Sequence, residues 1–153
     1  MKADLHNHSY YSDGFLSPRE VVSLASKANC DLFSLTDHDT TDGLAEAKLE
    51  ADKVSLNFIN GVEISAFWRN MAIHIVGLGV DVNNDILQAG LEHNKELRKI
   101  RAEKIALSLW RSGITDALEK AQIISGGHML TRTHFAQILI QEGYCKDMKS
   151  VFR

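Results

Sequence analysis

The chain has 153 residues, of which 44% are hydrophobic and 24% charged, and carries a formal net charge of -3. This length and balance describe a folded, soluble protein of ordinary domain size and exclude a disordered one. The mild negative charge excludes the broad positive field of a general nucleic-acid binder, while leaving room for a nucleotide or oligonucleotide held locally by a metal and a few arginines.

In chain order, "KADLH" is predicted as a short strand. "SPRE" follows with a capping box, Ser17 as N-cap, Pro18 at the first helical position and Glu20 three residues on. Val21, Val22, Leu24, Ala25 and Ala28 then recur at helical spacing, which predicts a helix to about Asn29. "DLFSLTD" is a nearly continuous apolar run, as buried parallel strands are. "TDGLAEAKLEADK" reads as a helix, and "LNFINGVEIS" and "MAIHIVGLGV" as two further strands. A long helix is expected from about Asn84 to Arg111, then shorter ones in "TDALEKAQIIS" and "RTHFAQILIQEG", the latter closed by Gly143. The early strand–helix alternation predicts an α/β fold with a mainly parallel sheet, and no linker or low-complexity tract divides the chain. Four strands are too few for a closed barrel, and the sequence stops at "KSVFR" within an amphipathic pattern, so the front part of something larger is expected.

No basic-then-apolar signal opens the chain, since Asp4, His6 and His8 interrupt it, and no apolar run reaches the roughly 18 residues of a membrane span. Cys30 and Cys145 fit no paired ligand spacing and read as free thiols of a reducing compartment, which points to the cytoplasm. No protein partner is indicated.

Chemistry concentrates where strands end, which is where α/β folds place their working groups. Residues i and i+2 of a strand share a side, so His6 and His8 are expected to present two imidazoles together, with Asp13 folding back from a loop that ends in Gly14. Surface histidines would give the same short pattern. In "LTDHDTTDG", Asp37, His38 and Asp39 are three potential ligands in a row; a polar, helix-capping turn accounts for Asp39 to Asp42 but not for His38. Glu63 lies between Val62 and Ile64 and needs a partner if buried, either a basic side chain or a metal. A single histidine in an apolar strand is more often a satisfied core residue than a ligand, so His74 alone does not point to a site.

Taken together, His6, His8, Asp13, His38, Glu63 and His74 form a nitrogen and oxygen donor set without sulfur, suited to Mn, Fe, Zn or Mg. Six donors exceed the needs of one four-coordinate ion, so a divalent metal cluster is expected. Such clusters activate water as a hydroxide nucleophile and clamp phosphate oxygens, which is the chemistry of phosphoester hydrolysis. In "LTRTHFAQIL", a capping threonine, Arg132 and His134 offer an anion site at a helix start, and Arg98 and Arg101 a weaker basic contact on the long helix. Taken by themselves, these residues read first as a solvated arginine and a helix-start histidine, and as an ordinary exposed charged face on the long helix.

The segments "DLHNHSYYSDG", "LTDHDTTDG", "GVEIS" and "IHIVGLGVD", in this order, resemble the PHP (polymerase and histidinol phosphatase) domain. "LTRTHFAQILIQEGYCKDMKSVF" extends the resemblance to the bacterial branch with nucleoside 3',5'-bisphosphate phosphatases and a 5'-to-3' exoribonuclease. The resemblance covers essentially the whole chain. It implies the N-terminal part of a distorted, TIM-like β/α barrel, with a helical, substrate-side segment over about residues 84–153 inserted after the fourth strand. It further implies a cluster of about two or three ions, most readily Mn, on His6, His8, Asp13, His38, Glu63 and His74, with Glu63 bridging. Arg132 and His134 fall where the family contacts substrate phosphate. The implied activity is hydrolysis of phosphate esters of nucleotides or of the 5' ends of short RNA. The family's later "AHP" and "SDxH" motifs are missing, so an incomplete barrel that binds metal without turnover is one alternative, and a metal-dependent amidohydrolase or deaminase is another.

Overall fold

The computed structural model describes residues 1–69 and 71–152; Asn70 and Arg153 lie outside it. The elements are β1 (Ala3–Asp4), α1 (Pro18–Lys27), β2 (Leu32–Leu35), α2 (Leu44–Lys53), β3 (Asn57–Trp68), β4 (Met71–Leu78), α3 (Asp85–Arg111), α4 (Ala117–Ile124), α5 (Arg132–Gln141) and α6 (Met148–Val151). The chain divides into two compact units, Met1–Lys95 and Glu96–Arg153, with the division falling inside α3.

The first unit carries a four-stranded sheet in the order β1-β2-β3-β4. Its first two pairings are parallel, as the strand–helix alternation predicts, with Phe33 opposite Phe58 in the β2–β3 ladder. The last pairing is not. β4 runs antiparallel to β3, from Gly61 opposite Leu78 to Trp68 opposite Met71. Only two residues separate these strands, and a parallel neighbour would need a crossover of a dozen or more. Two of the three pairings are thus parallel, in keeping with a mainly parallel sheet, and the β3–β4 pair adds one antiparallel step.

α1 begins as its sequence dictates. The Glu20 N–H donates to Ser17 Oγ at 3.2 Å, and the Ser17 N–H donates back to Glu20 Oε2 at 2.8 Å. Pro18, Val22 and Ala25, four and three residues apart, form its buried face. Val22 and Ala25 of that face meet Phe33 and Leu35 of β2 and Leu44, Ala47 and Ala51 of α2 in one core. Phe33 and Leu35 are fully buried, each contributing about 1.5–3 kcal/mol by area alone. The effect is to fix the C-terminal end of β2, where the polar segment starting at Thr36 leaves the sheet.

Within the second unit, Ala102, Ile114, Ala117, Ala121, Phe135 and Ile138 form a separate core. Thr131 is the N-cap of α5, and Gly143, with φ of +78°, follows the Glu142 C-cap in the left-handed conformation that favours glycine. No helix among the described residues is long and apolar enough to cross a membrane.

Candidate metal centre

The loop after β1 approaches the segment that follows β2 and the middle of β3. β1 stops at Asp4, so His6 and His8 do not lie in a strand, and strand alternation is not what brings them together. Their rings nevertheless sit 5.2 Å apart, because both reach the same carboxylate oxygen. His6 Nε2 lies 2.8 Å and His8 Nε2 3.1 Å from Glu63 Oε2. The loop closes tightly on itself: a Cβ on Gly14 would fall 2.4 Å from the His8 carbonyl oxygen, so only glycine fits there.

Glu63 is not at the end of its strand. It stands mid-way along β3, three residues past the last β2–β3 pair at Asn60, where a single parallel bridge joins it to His38. His38 Nδ1 lies 3.6 Å from Glu63 Oε2 and His74 Nδ1 2.8 Å from Glu63 Oε1. Asp13 faces two of the same rings, 3.6 Å from His8 Nδ1 and 3.8 Å from His38 Nε2. Burial works to raise the Glu63 carboxyl, but the hydrogen bond with His6, the charge of His38 and the bond with His74 outweigh it and hold the group below its ordinary value.

The six residues resolve into three overlapping groups with donor atoms within 4.8 Å of one another: His6, His8 and Glu63; His8, Asp13 and His38; and His38, Glu63 and His74. His8, His38 and Glu63 are each shared by two groups. The first unit thus brings all six expected donors into one cluster.

Two neighbours expected as possible ligands or caps do something else. Asp37 is buried and accepts hydrogen bonds from Ser9 N–H, Ser9 Oγ and Ser12 Oγ, each at 2.6 Å. Burial dominates and lifts its carboxyl above the usual range, against the bonds from Ser12 and Ser9. Asp39, with φ of +50°, accepts from the Ser65 N–H and from Asn94 Nδ2, both at 2.8 Å. It does not cap α2, whose N-cap is Gly43 without a side-chain cap bond. Neither aspartate belongs to the three donor groups. The role of Asp37 had a signal in the sequence: it ends an apolar run, and a carboxylate buried there requires donors, which Ser9 and Ser12 supply.

The other expected site residues lie in the second unit. Arg101 is exposed on α3, and Arg132 is exposed at the first turn of α5 with its guanidinium carbon 5.7 Å from the Phe152 ring centroid. His134 is buried in the α5 capping box, where its Nδ1 accepts the Thr131 N–H at 3.1 Å. That bond leaves the ring proton on Nε2 when the imidazole is neutral.

Residues 4–142 match the PHP domain. The chain belongs to the PHP domain family. Among relatives, this PHP chain is 44% identical over 151 residues to a 3',5'-nucleoside bisphosphate phosphatase of Chromobacterium violaceum, covering 98% of this chain and 53% of that protein. It is 41% identical over 152 residues to the 5'-3' exoribonuclease Rnm of Escherichia coli, covering 98% and 52%. A solved structure described as an amidohydrolase from Chromobacterium violaceum, with sulfate bound and no metal, superposes with a TM-score of 0.94 at 44% identity, covering 100% of this chain and 54% of that one. The PHP chain therefore spans about half the length of the curated relatives it matches.

Proposed function

We propose that the six-residue cluster binds about two or three divalent ions, Mn foremost with Fe, Zn or Mg as substitutes, and serves hydrolysis of nucleotide phosphate esters or of the 5' ends of short RNA. The observation that carries this reading is the sharing of His8, His38 and Glu63 between three donor groups. Shared donors suit ions held side by side, and the purely nitrogen and oxygen set fits such ions without involving thiolate. When bound, they would supply Lewis acidity and an activated water for attack at phosphorus.

The chain's own residues define the rest. Glu63 presents its two oxygens to different histidines, His74 on one and His6 and His8 on the other, which is the disposition of a bridging carboxylate. Asp13 gathers the far nitrogens of His8 and His38. Arg132 and His134 are proposed phosphate contacts, His134 donating from Nε2 because Nδ1 is already an acceptor, with Arg101 a further basic contact. The relatives' names, a bisphosphate phosphatase and a 5'-3' exoribonuclease, support this substrate class, and sulfate in the related structure is a tetrahedral anion of similar shape and charge. The free thiols of Cys30 and Cys145 support a cytoplasmic setting.

The alternative reading is that the cluster loads metal without turning substrate over. Assays with Mn on a 3',5'-bisphosphonucleotide and on 5'-labelled short RNA, beside measured metal content, separate the two. Release of phosphate or mononucleotide, lost in the double variant His6→Ala/His8→Ala, supports hydrolysis. Bound ions without product support the second reading. Absence of any bound divalent ion overturns both, and deamination without phosphate release would favour the amidohydrolase alternative.

A further inference from the structure

We propose that Asp37 and Asp39 are positioning residues that aim two separate sets of metal donors at His38, the residue between them; this rests on the metal-centre reading above.

The main chain of this tripeptide is fastened to Glu63. The Glu63 N–H donates to the Asp37 carbonyl at 3.1 Å, and the Asp39 N–H donates to the Glu63 carbonyl at 2.9 Å. With the backbone fixed, the two flanking carboxylates serve different segments. Asp37 grips Ser9 and Ser12, which fall between His8 and Asp13 in a loop without regular structure. Ser12 Oγ also lies 3.4 Å from His8 Nδ1. Asp39 grips the backbone of Ser65, which is two residues beyond Glu63 and sits opposite His74 in the β3–β4 register. Asn94 closes this second grip, donating from Nδ2 to both Asp39 Oδ1 at 2.8 Å and the Ser65 carbonyl at 2.9 Å.

Both carboxylates are buried, Asp37 at 2% and Asp39 at 0% exposure. Burying a carboxylate is costly unless several donors compensate, and a turn alone would be served by Ser, Thr or Asn. What a carboxylate adds is strong, charge-assisted hydrogen bonds that hold their partners in one place. Groups that orient metal ligands in this way typically change metal affinity about 10–100-fold when removed. The assignment is specific: Asp37 governs the donors of the first loop, and Asp39 governs Glu63 and His74.

The test is Mn affinity and stoichiometry by calorimetry, with thermal melts of the metal-free proteins, for Asp37→Asn and Asp39→Asn in three backgrounds: parent, His8→Ala and His74→Ala. Asp37→Asn is expected to weaken binding about 10–100-fold, an effect that disappears with His8→Ala and persists with His74→Ala. Asp39→Asn should show the reverse pattern. Unchanged binding, or equal losses in both backgrounds, overturns the inference, the latter because it signals a general role in folding. Should either aspartate variant fail to fold, Ser12→Ala and Asn94→Ala replace them, with smaller losses but the same background dependence. A parent chain that binds no divalent ion overturns the metal reading and this inference together; a parent that binds ions while all variants match it overturns this inference alone.

Discussion

His74 and His38 meet edge to face, their ring centroids 4.8 Å apart and their planes at 86°, although they come from an antiparallel strand and from the segment after a parallel one. Glu63 lies within reach of both rings, 2.8 Å from His74 Nδ1 and 3.6 Å from His38 Nδ1, and is the one carboxylate shared by two donor groups. Glu63→Gln is therefore expected to weaken Mn binding by more than about 100-fold, beyond the range typical of residues once removed from a metal. His74→Ala, which touches one group, should cost less. Calorimetric titration of both variants checks the order.

Metal should also stabilise the fold. Without it, several imidazoles crowd a carboxylate on segments tied to three different parts of the first unit. An ion that binds only the native state adds about 2.7 kcal/mol at a hundredfold excess over its Kd. Thermal melts with Mn and after chelation should show a clear rise with metal and a concentration-dependent midpoint, and His6→Ala/His8→Ala should abolish the rise.

The α1 cap gives a prediction independent of function. Ser17→Ala should destabilise the protein by about 1 kcal/mol, read from denaturant melts. Glu20 is held below its ordinary value of 4.5 by its side-chain and backbone hydrogen bonds with Ser17. A carboxyl lowered in the folded state stabilises above its unfolded value, and that contribution fades as pH falls below 4.5 through the folded value. The parent's stability should thus fall more steeply than that of Ser17→Ala on acidification below that point.

Two glycines should respond oppositely to alanine. At Gly14 a Cβ would collide with the His8 backbone, 2.4 Å from its oxygen and 2.7 Å from its carbonyl carbon. Gly14→Ala should therefore displace the first loop and lower both stability and Mn affinity. At Gly90, inside α3, a Cβ would meet nothing within 4 Å, and Gly90→Ala should stabilise by about 0.5–1 kcal/mol. Paired melts decide the contrast.

Much of this architecture was legible in the sequence because local chemistry specified it. Ser17, Pro18 and Glu20 mark the start of α1 by a mechanism confined to four residues, and Phe33 and Leu35 announce a strand buried in the sheet. Residue type and order also singled out the six side chains that the structure gathers into three overlapping groups. What escaped was decided by partners distant in the chain. His6 and His8 converge because Glu63, more than fifty residues on, draws both rings to one oxygen, although β1 is too short to hold them. The direction of β4 follows from a two-residue connection whose outcome an apolar run does not encode. Asp39 looked like part of a capping turn because its true partners, Ser65 and Asn94, lie 26 and 55 positions away.

Among the described residues β4 is the last strand in the order of the sheet, and Met71, Ile73, Ile75, Val76 and Leu78 on its two faces are each at least 37% exposed. A strand with oily side chains above and below, and an open edge beside them, behaves in water as an adhesive ribbon. Handling of the protein will be governed by concentration before it is governed by temperature: light scattering should report self-association that grows with protein concentration. Ile75→Lys, which places a charge in the middle of the ribbon, should suppress it while leaving the fold of the metal-free chain intact by circular dichroism.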